Sequence, residues 1–445
     1  MKTIRKLVLV LFVLSGIKQV VAQDAILSVS LEQACKLGLE NNLEVVNASL
    51  EKQKSAYAAK ELRSGLYPHL EAYSDFNYYY AIPKMLFPGE FFGETGDIAV
   101  EIGTKYDWIS GFNASLTLYN QSYYTSLKVA KQMQNMSELS LQQKKEEIVY
   151  MISQVYFLCK TTQSQVALLQ KNMQNTINLL KILKSQSENG VARKIDYSKV
   201  LVNKNNLQTE IDNLDKLYWQ QLGLLKYLMG FDNSSEVELS DSLSFSQTIQ
   251  TSKIPDFNIQ SEFQLLDKQI ELAVLNKKAN QQSYLPSLSL SGQYYYDGQQ
   301  NDFNFFSRGS DKFFKVGVVA LNLTIPIFDG FEKHSKTQQY NVELQQLQNN
   351  RKNLTKKYTT DFTDAINQYN ISQKALLRQQ ENIKIAEEDY AISLQQYDQQ
   401  FIALPDLMLS ENLLTEARLS YVNALLQLKN AGLDMKKAKG ELLSF

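Results

Sequence analysis

Along residues 148–183 the side chains Ile148, Ile152, Val155, Cys159, Thr162, Val166, Leu169, Met173, Thr176, Leu180 and Leu183 recur in steps of four and three, and all but the two threonines are apolar. That spacing predicts the buried seam of a long helix packed as a coiled coil. The period returns at Tyr358, Phe362, Ala365, Tyr369, Ser372, Leu376, Gln379, Ile383, Ala386 and Tyr390, a seam with more aromatic and small residues. A following segment sets a small residue at every seventh position, Ala403, Ser410, Ala417, Ala424, Ala431 and Ala438, which lets a neighbouring helix approach closely. Neither proline nor glycine interrupts residues 123–187 or 334–397. At 1.5 Å per residue each would run as one helix of about 95 Å.

A second pattern, of period two, predicts strands. Leu70, Ala72, Ser74, Phe76, Tyr78 and Tyr80 alternate with His69, Glu71, Tyr73, Asp75, Asn77 and Tyr79. Trp108, Phe112, Ala114, Leu116 and Leu118 alternate with Gly111, Asn113, Ser115 and Thr117. In the second half Leu288, Leu290, Tyr294 and Tyr296 alternate with Ser287, Ser289, Ser291 and Gln293, and residues 313–325 make a fourth, less regular strand. Strands of about 10 to 14 residues with aromatic ends exceed the usual globular length and suit a tilted membrane crossing.

The two patterns recur together, about 210 to 218 residues apart, so the chain reads as an internal duplication. Tyr67-Pro68-His69-Leu70 leading to Tyr78-Tyr79-Tyr80 is echoed by Leu285-Pro286-Ser287-Leu288 leading to Tyr294-Tyr295-Tyr296. Leu116-Thr117-Leu118-Tyr119-Asn120 is echoed by Leu323-Thr324-Ile325-Pro326-Ile327-Phe328-Asp329. The break at residues 190–196 is echoed at 400–406. The expected organisation is a first repeat over 23–230, with a β-hairpin at about 67–120 and a long helical hairpin at about 121–230. A polar linker over 231–258 joins it to a second repeat over 259–445, with its β-hairpin at about 285–328 and its helical hairpin at about 331–440. Residues 1–22, with Lys2, Arg5 and Lys6 before a short apolar run and small side chains near Ala22, read as a secretory signal peptide.

Composition narrows the function. Past the signal no stretch of about 18 uncharged apolar residues exists, which argues against a helical membrane span but not against a barrel, whose alternating strands leave a weak hydropathy trace. With 46 Lys and Arg against 47 Asp and Glu, no net field recruits nucleic acid. Only two cysteines and two histidines occur, Cys35, Cys159, His69 and His334, and their spacing matches no metal site or catalytic constellation. No catalytic residue, cofactor or bound metal is expected, so the chain is not read as an enzyme. Four strands with two unpaired edges cannot span lipid alone, because no water is present there to satisfy the backbone. Two copies would give eight strands and a filled interior, whereas three would give twelve and a lumen. Periodicity by itself does not choose between them.

The opening Leu31-Glu32-Gln33-Ala34 with Asn41-Asn42-Leu43, the Tyr67-Pro68 and Leu285-Pro286 strand openers, the Ile325-Pro326-Ile327-Phe328-Asp329-Gly330 segment and the duplicated turn together resemble the TolC-type outer-membrane efflux family, over nearly the whole mature chain. The resemblance implies a mixed α+β membrane protein, a homotrimer in which a twelve-stranded outer-membrane β-barrel continues into a twelve-helix tunnel in the periplasm. It implies contact with outer-membrane lipid, docking onto a periplasmic adaptor (membrane fusion) protein, and service to an inner-membrane transporter in a tripartite efflux pump or type I secretion system. The rival reading is a non-conducting structural coiled-coil protein of the envelope, which would share the seams but not the paired strands.

The resemblance also nominates residues. Aligned on the turns, Tyr397, Asp406 and Asp196 match gate residues of the family, three copies of Asp406 ringing one opening, while capping of a helix start is the bland alternative for both aspartates. Ile402 stands where the family has an arginine and Leu409 where it has a second aspartate, which implies closure by apolar or hydrogen-bonded contacts. As adaptor-tip candidates Gly190, Val191 and Ala192 resemble the family's adaptor-facing motif, with a helix C-cap as the alternative for Gly190, while Gln400, Phe401 and Ile402 at the second turn depart from it, so the two tips need not bind identically.

Overall fold

The computed structural model describes residues 27–93, 95–189, 193–242, 256–306 and 313–444. The signal-peptide region, and the turn residues Gly190, Val191 and Ala192, lie outside them. In chain order the elements are β1 (Leu27–Val29), α1 (Leu31–Asn41), α2 (Leu43–Ser64), β2 (His69–Tyr78), β3 (Lys84–Pro88), β4 (Asp97–Glu101), β5 (Tyr106–Tyr119) and α3 (Gln121–Glu188). There follow α4 (Lys194–Met229), β6 (Val237–Leu239), α5 (Ser261–Gln282), β7 (Ser287–Gln300), β8 (Phe313–Thr324), α6 (Glu332–Asp398) and α7 (Leu404–Lys439). Corresponding helices of the two halves match in length: α2 and α5 have 22 residues each, α3 and α6 have 68 and 67, and α4 and α7 have 36 each. The chain folds into two compact units, and these do not follow the halves of the sequence. One unit takes residues 1–47, 142–260 and 356–445, the other 48–141 and 261–355, so each draws on both halves.

In the second of these units β2 and β7 begin directly after Pro68 and Pro286, residues that cannot donate a ladder hydrogen bond. The strands form one antiparallel sheet in the order β2-β5-β7-β8. Its register carries the alternation across all four strands. Leu70, Ala114, Gly292 and Val319 form one row, Ala72, Phe112, Tyr294 and Gly317 another, and Phe76, Trp108, Gly298 and Phe313 a third, all on the same face. Toward the end of that face away from the helices Trp108 packs edge-on against Phe76, Phe305 and Phe313 at ring distances of 6.3, 5.5 and 5.9 Å. Gly298 is what makes room, since a Cβ there would stand 2.5 Å from the Phe313 ring. Lower on the face nothing among the described residues covers the side chains: Val319 is 80% exposed, and Leu70, Phe112 and Leu321 are exposed as well. The loop between β2 and β5 holds a separate two-stranded β3-β4 hairpin, with Lys84 paired to Glu101.

The first unit is built on helix seams. Within it Ile148, Ile152, Cys159, Leu169, Met173 and Leu183 of α3 are buried. Leu169 and Met173 pack on Leu207 and Ile211 of α4. On the other pair Phe362, Ala365, Tyr369 and Leu376 of α6 pack against Ala424, Leu425, Leu428, Ala431, Met435 and Ala438 of α7, the small residues admitting the rings. Helix α1 is fixed at both ends by side-chain hydrogen bonds. Ser30 and Gln33 close a reciprocal cap at its start, and beyond its end Asn42 reaches the Leu228 carbonyl at 2.9 Å. The Asp241 carboxylate accepts from the Leu31 amide at 2.8 Å and the Tyr156 hydroxyl at 3.0 Å, while β1 pairs in parallel with β6. Leu425 is 2% exposed within the α6/α7 seam. Leu425→Ala is expected to lower stability by about 2–5 kcal/mol, read as a fall in the midpoint of helix melting by circular dichroism.

Candidate functional site

The candidate site is the end of the first unit where the helical hairpins turn. Around it Leu183 of α3, Val200 of α4 and Leu404 of α7 form a buried cluster, with Tyr197, Tyr397 and Met408 packed against it. Side chains from both halves of the sequence therefore close one small core. Tyr397 is half-buried there. Burial raises its phenol above the ordinary value, and the negative charges of Asp196 and Asp398 raise it further, so Tyr397 of one half and Asp196 of the other stand in each other's field.

Asp196 is 8% exposed and occupies the first turn of α4. Its carboxylate is held by Arg193, with Nε to Oδ2 at 2.9 Å and Nη2 to Oδ1 at 3.2 Å. This two-pronged pair within one turn is the interaction that reading family positions alone overlooked. The i, i+3 spacing of Arg193 and Asp196 at a helix start was the signal for it.

Asp406 differs. It is exposed in the first turn of α7 and accepts a hydrogen bond from the Ala403 amide at 3.3 Å, so it satisfies a donor left free by the helix start. Its carboxylate also lies at the favourable end of the helix dipole. Tyr397 and Asp196 are thus brought together at the core, while Asp406 caps its own helix.

The turn before α7 is strained at one position. The Phe401 amide donates to the Gln396 carbonyl at 2.8 Å and the Gln400 amide to Tyr397 at 2.9 Å, the paired bonds of a left-handed helix end. The same pattern closes α4 at Gly230 and α7 at Gly440, both left-handed glycines. At the end of α6 the left-handed residue is Gln400, with φ of 64°. Phe401 beyond it is 75% exposed, and Ile402 is half-buried. Of the six adaptor-turn candidates these three are described. They present a rigid corner with one bare ring.

Comparison with known proteins fits this geometry. Residues 259–441 match the family model described as outer membrane efflux protein. No curated protein matches the chain by sequence. Solved structures share the fold across both halves. A membrane protein from Pseudomonas aeruginosa aligns with a TM-score of 0.72 at 14% identity, covering 92% of this chain and 93% of its own. The CmeC outer membrane channel of Campylobacter jejuni aligns with a TM-score of 0.72 at 16% identity, covering 92% of this chain and 85% of its own. The outer membrane protein VceC of Vibrio cholerae aligns with a TM-score of 0.71 at 13% identity, covering 92% of this chain and 96% of its own. The family match covers residues 259–441, and the likeness to these solved structures is one of fold. Among the described residues no helix is long and apolar enough to cross a membrane.

Gln400→Gly is expected to stabilise the turn by about 1 kcal/mol, because glycine adopts the left-handed conformation without a Cβ clash. Slower amide exchange at residues 396–404, with exchange elsewhere unchanged, would be the confirming measurement.

Proposed function

We propose that the chain is one subunit of a homotrimeric exit duct of the cell outer membrane, with its helical hairpins in the periplasm. The observation that carries this reading is the four-stranded sheet, apolar and uncovered on one face and unpaired at both edges, β2 and β8. In lipid such edges must be paired, so sister copies complete the wall, and three copies supply twelve strands around a lumen. The helices of three copies make a twelve-helix tunnel continuous with it. The duct accepts substrate from a periplasmic adaptor and an inner-membrane transporter, as an efflux pump or a type I secretion system requires. The pump selects the cargo and the duct conducts it. A non-conducting envelope rod leaves the uncovered sheet without a purpose.

The turn ends are the gate in this reading. The core of Leu183, Val200, Leu404 and Tyr397 holds the hairpins together, and Asp196, fixed by Arg193, sets the field around Tyr397. Residues 190–192 and the corner at Gln400, Phe401 and Ile402 face the adaptor. Asp406 is exposed, and three-fold symmetry would repeat its carboxylate around the opening, favouring cations.

Extraction from the outer membrane in detergent is expected to yield a band near three times the subunit mass on an unheated gel, with discrete conductance steps in planar bilayers. A water-soluble monomer without conductance would end the duct reading. Asp406→Asn keeps an oxygen able to accept from the Ala403 amide, so the cap survives while the charge is lost. Reduced cation preference and weaker blockade by multivalent cations are expected in single-channel recordings. Unchanged recordings would leave Asp406 as a helix cap alone.

A further inference from the structure

In α7 the seam that faces the other helices runs Leu404, Leu407, Glu411, Leu414, Arg418, Tyr421, Leu425 and Leu428 in steps of three and four. Two of its positions are charged where coiled-coil packing asks for apolar side chains. Arg418 is accounted for, since its Nη2 donates to Glu387 Oε1 of α6 at 2.7 Å. Glu411 is not. It is 9% exposed, and its Oε1 has no hydrogen-bond partner. Asn172 of α3 is 7% exposed and donates through Nδ2 to Thr415 at 2.9 Å, leaving its Oδ1 without a partner.

Both residues line one cavity of about 240 Å³ between α3, α6 and α7, and Asn172 also lines an adjoining cavity of about 280 Å³. Two buried acceptor oxygens beside one cavity require a donor. The charged and titratable groups around Glu411 are Lys171 from α3, Glu387 and Tyr390 from α6 and Arg418 from α7, and Glu210 of α4 and Glu416 of α7 line the adjoining cavity. Lys171 is exposed and Arg418 is held by Glu387, so neither cation is bonded to the carboxylate.

We infer that Glu411 is a proton-binding site within the helix seam, taking up a proton into this cavity to become a neutral carboxyl group that packs α7 tightly against α3, and loosening that contact when the proton leaves. Burial raises its carboxyl above the ordinary glutamate value, opposed by a hydrogen bond with Asn175, and its charge in turn helps raise the Tyr390 phenol. The folded seam therefore favours the protonated form. Its cost is absent at low pH, sets in above the ordinary value of 4.5 and is complete once pH passes the raised value.

The contrast within α7 supports the assignment. From Ala424 onward the same helix meets α6 through a dry core, whereas around Glu411 it meets α3 through Asn172, Thr415 and a cavity. Packed apolar contacts are insensitive to pH, while a buried carboxylate is not. The inference does not depend on conduction.

The test is amide exchange by mass spectrometry on the detergent-purified full chain between about pH 5 and about pH 8, each rate divided by the intrinsic chemical rate at that pH. Protection of residues 404–418 is expected to fall by a factor on the order of three to ten across that range, with residues 424–431 unchanged. Glu411→Gln should be better protected at the upper end and show no slope. A flat wild-type profile, or a slope that persists in Glu411→Gln, would overturn the proposal. Should that variant not fold, Glu411→Leu, which matches its seam neighbours, carries the same comparison.

Discussion

An unfinished sheet governs this molecule. Among the described residues, backbone donors and acceptors on β2 and β8 have a sheet partner on one side only, and the apolar face between them is uncovered below the Trp108 cluster. In water such a surface would drive aggregation, and in lipid its edges would be costlier still. The proposed closure by sister copies answers both problems at once. In that assembly the aromatic cluster around Trp108 would stand at a membrane boundary, where amphipathic rings suit.

The helices solve a different problem. A helix of 68 residues presents far more seam than one partner can cover, so α3 carries successive contacts: α1 near Ile152, α4 near Leu169, and α7 near Asn172. Within the α6/α7 hairpin alanines stand opposite aromatic rings, and Ser393 to Ser410 and Arg418 to Glu387 add polar contacts. Between the hairpins the apolar core at Leu183, Val200 and Leu404 is accompanied along the helices by polar contacts: Asn172 to Thr415, Gln165 to Asn423 and Tyr150 to Asp434.

At the turn ends local and tertiary forces are interleaved. Arg193 and Asp196 form a pair that one helical turn suffices to make, while Tyr397 reaches the field of Asp196 only because the two hairpins meet. The left-handed Gln400 marks a corner where a side chain has been retained at a conformational cost that glycine avoids at Gly230 and Gly440.

Much of the architecture was legible in the periodicities, for a physical reason. Repeats of seven and two are local consequences of helix and strand geometry, so α3, α6 and the four sheet strands could be read from residue spacing alone. The strand starts marked by Pro68 and Pro286 were equally local. The β3-β4 hairpin was missed because its strands are short and packed on nothing that the pattern shows. Glu411 stood in plain sight on a 3–4 seam, yet whether a seam glutamate is solvated or buried depends on which helix lies opposite. The cap that Asp406 places on the Ala403 amide is a contact across three residues, whereas the meeting of Tyr397 with Asp196 was decided only by the tertiary structure, which brings together groups more than two hundred residues apart in the chain. Sequence by itself determined which elements form and which faces are apolar; the assembled chain decided which of the polar groups would be left in the dark.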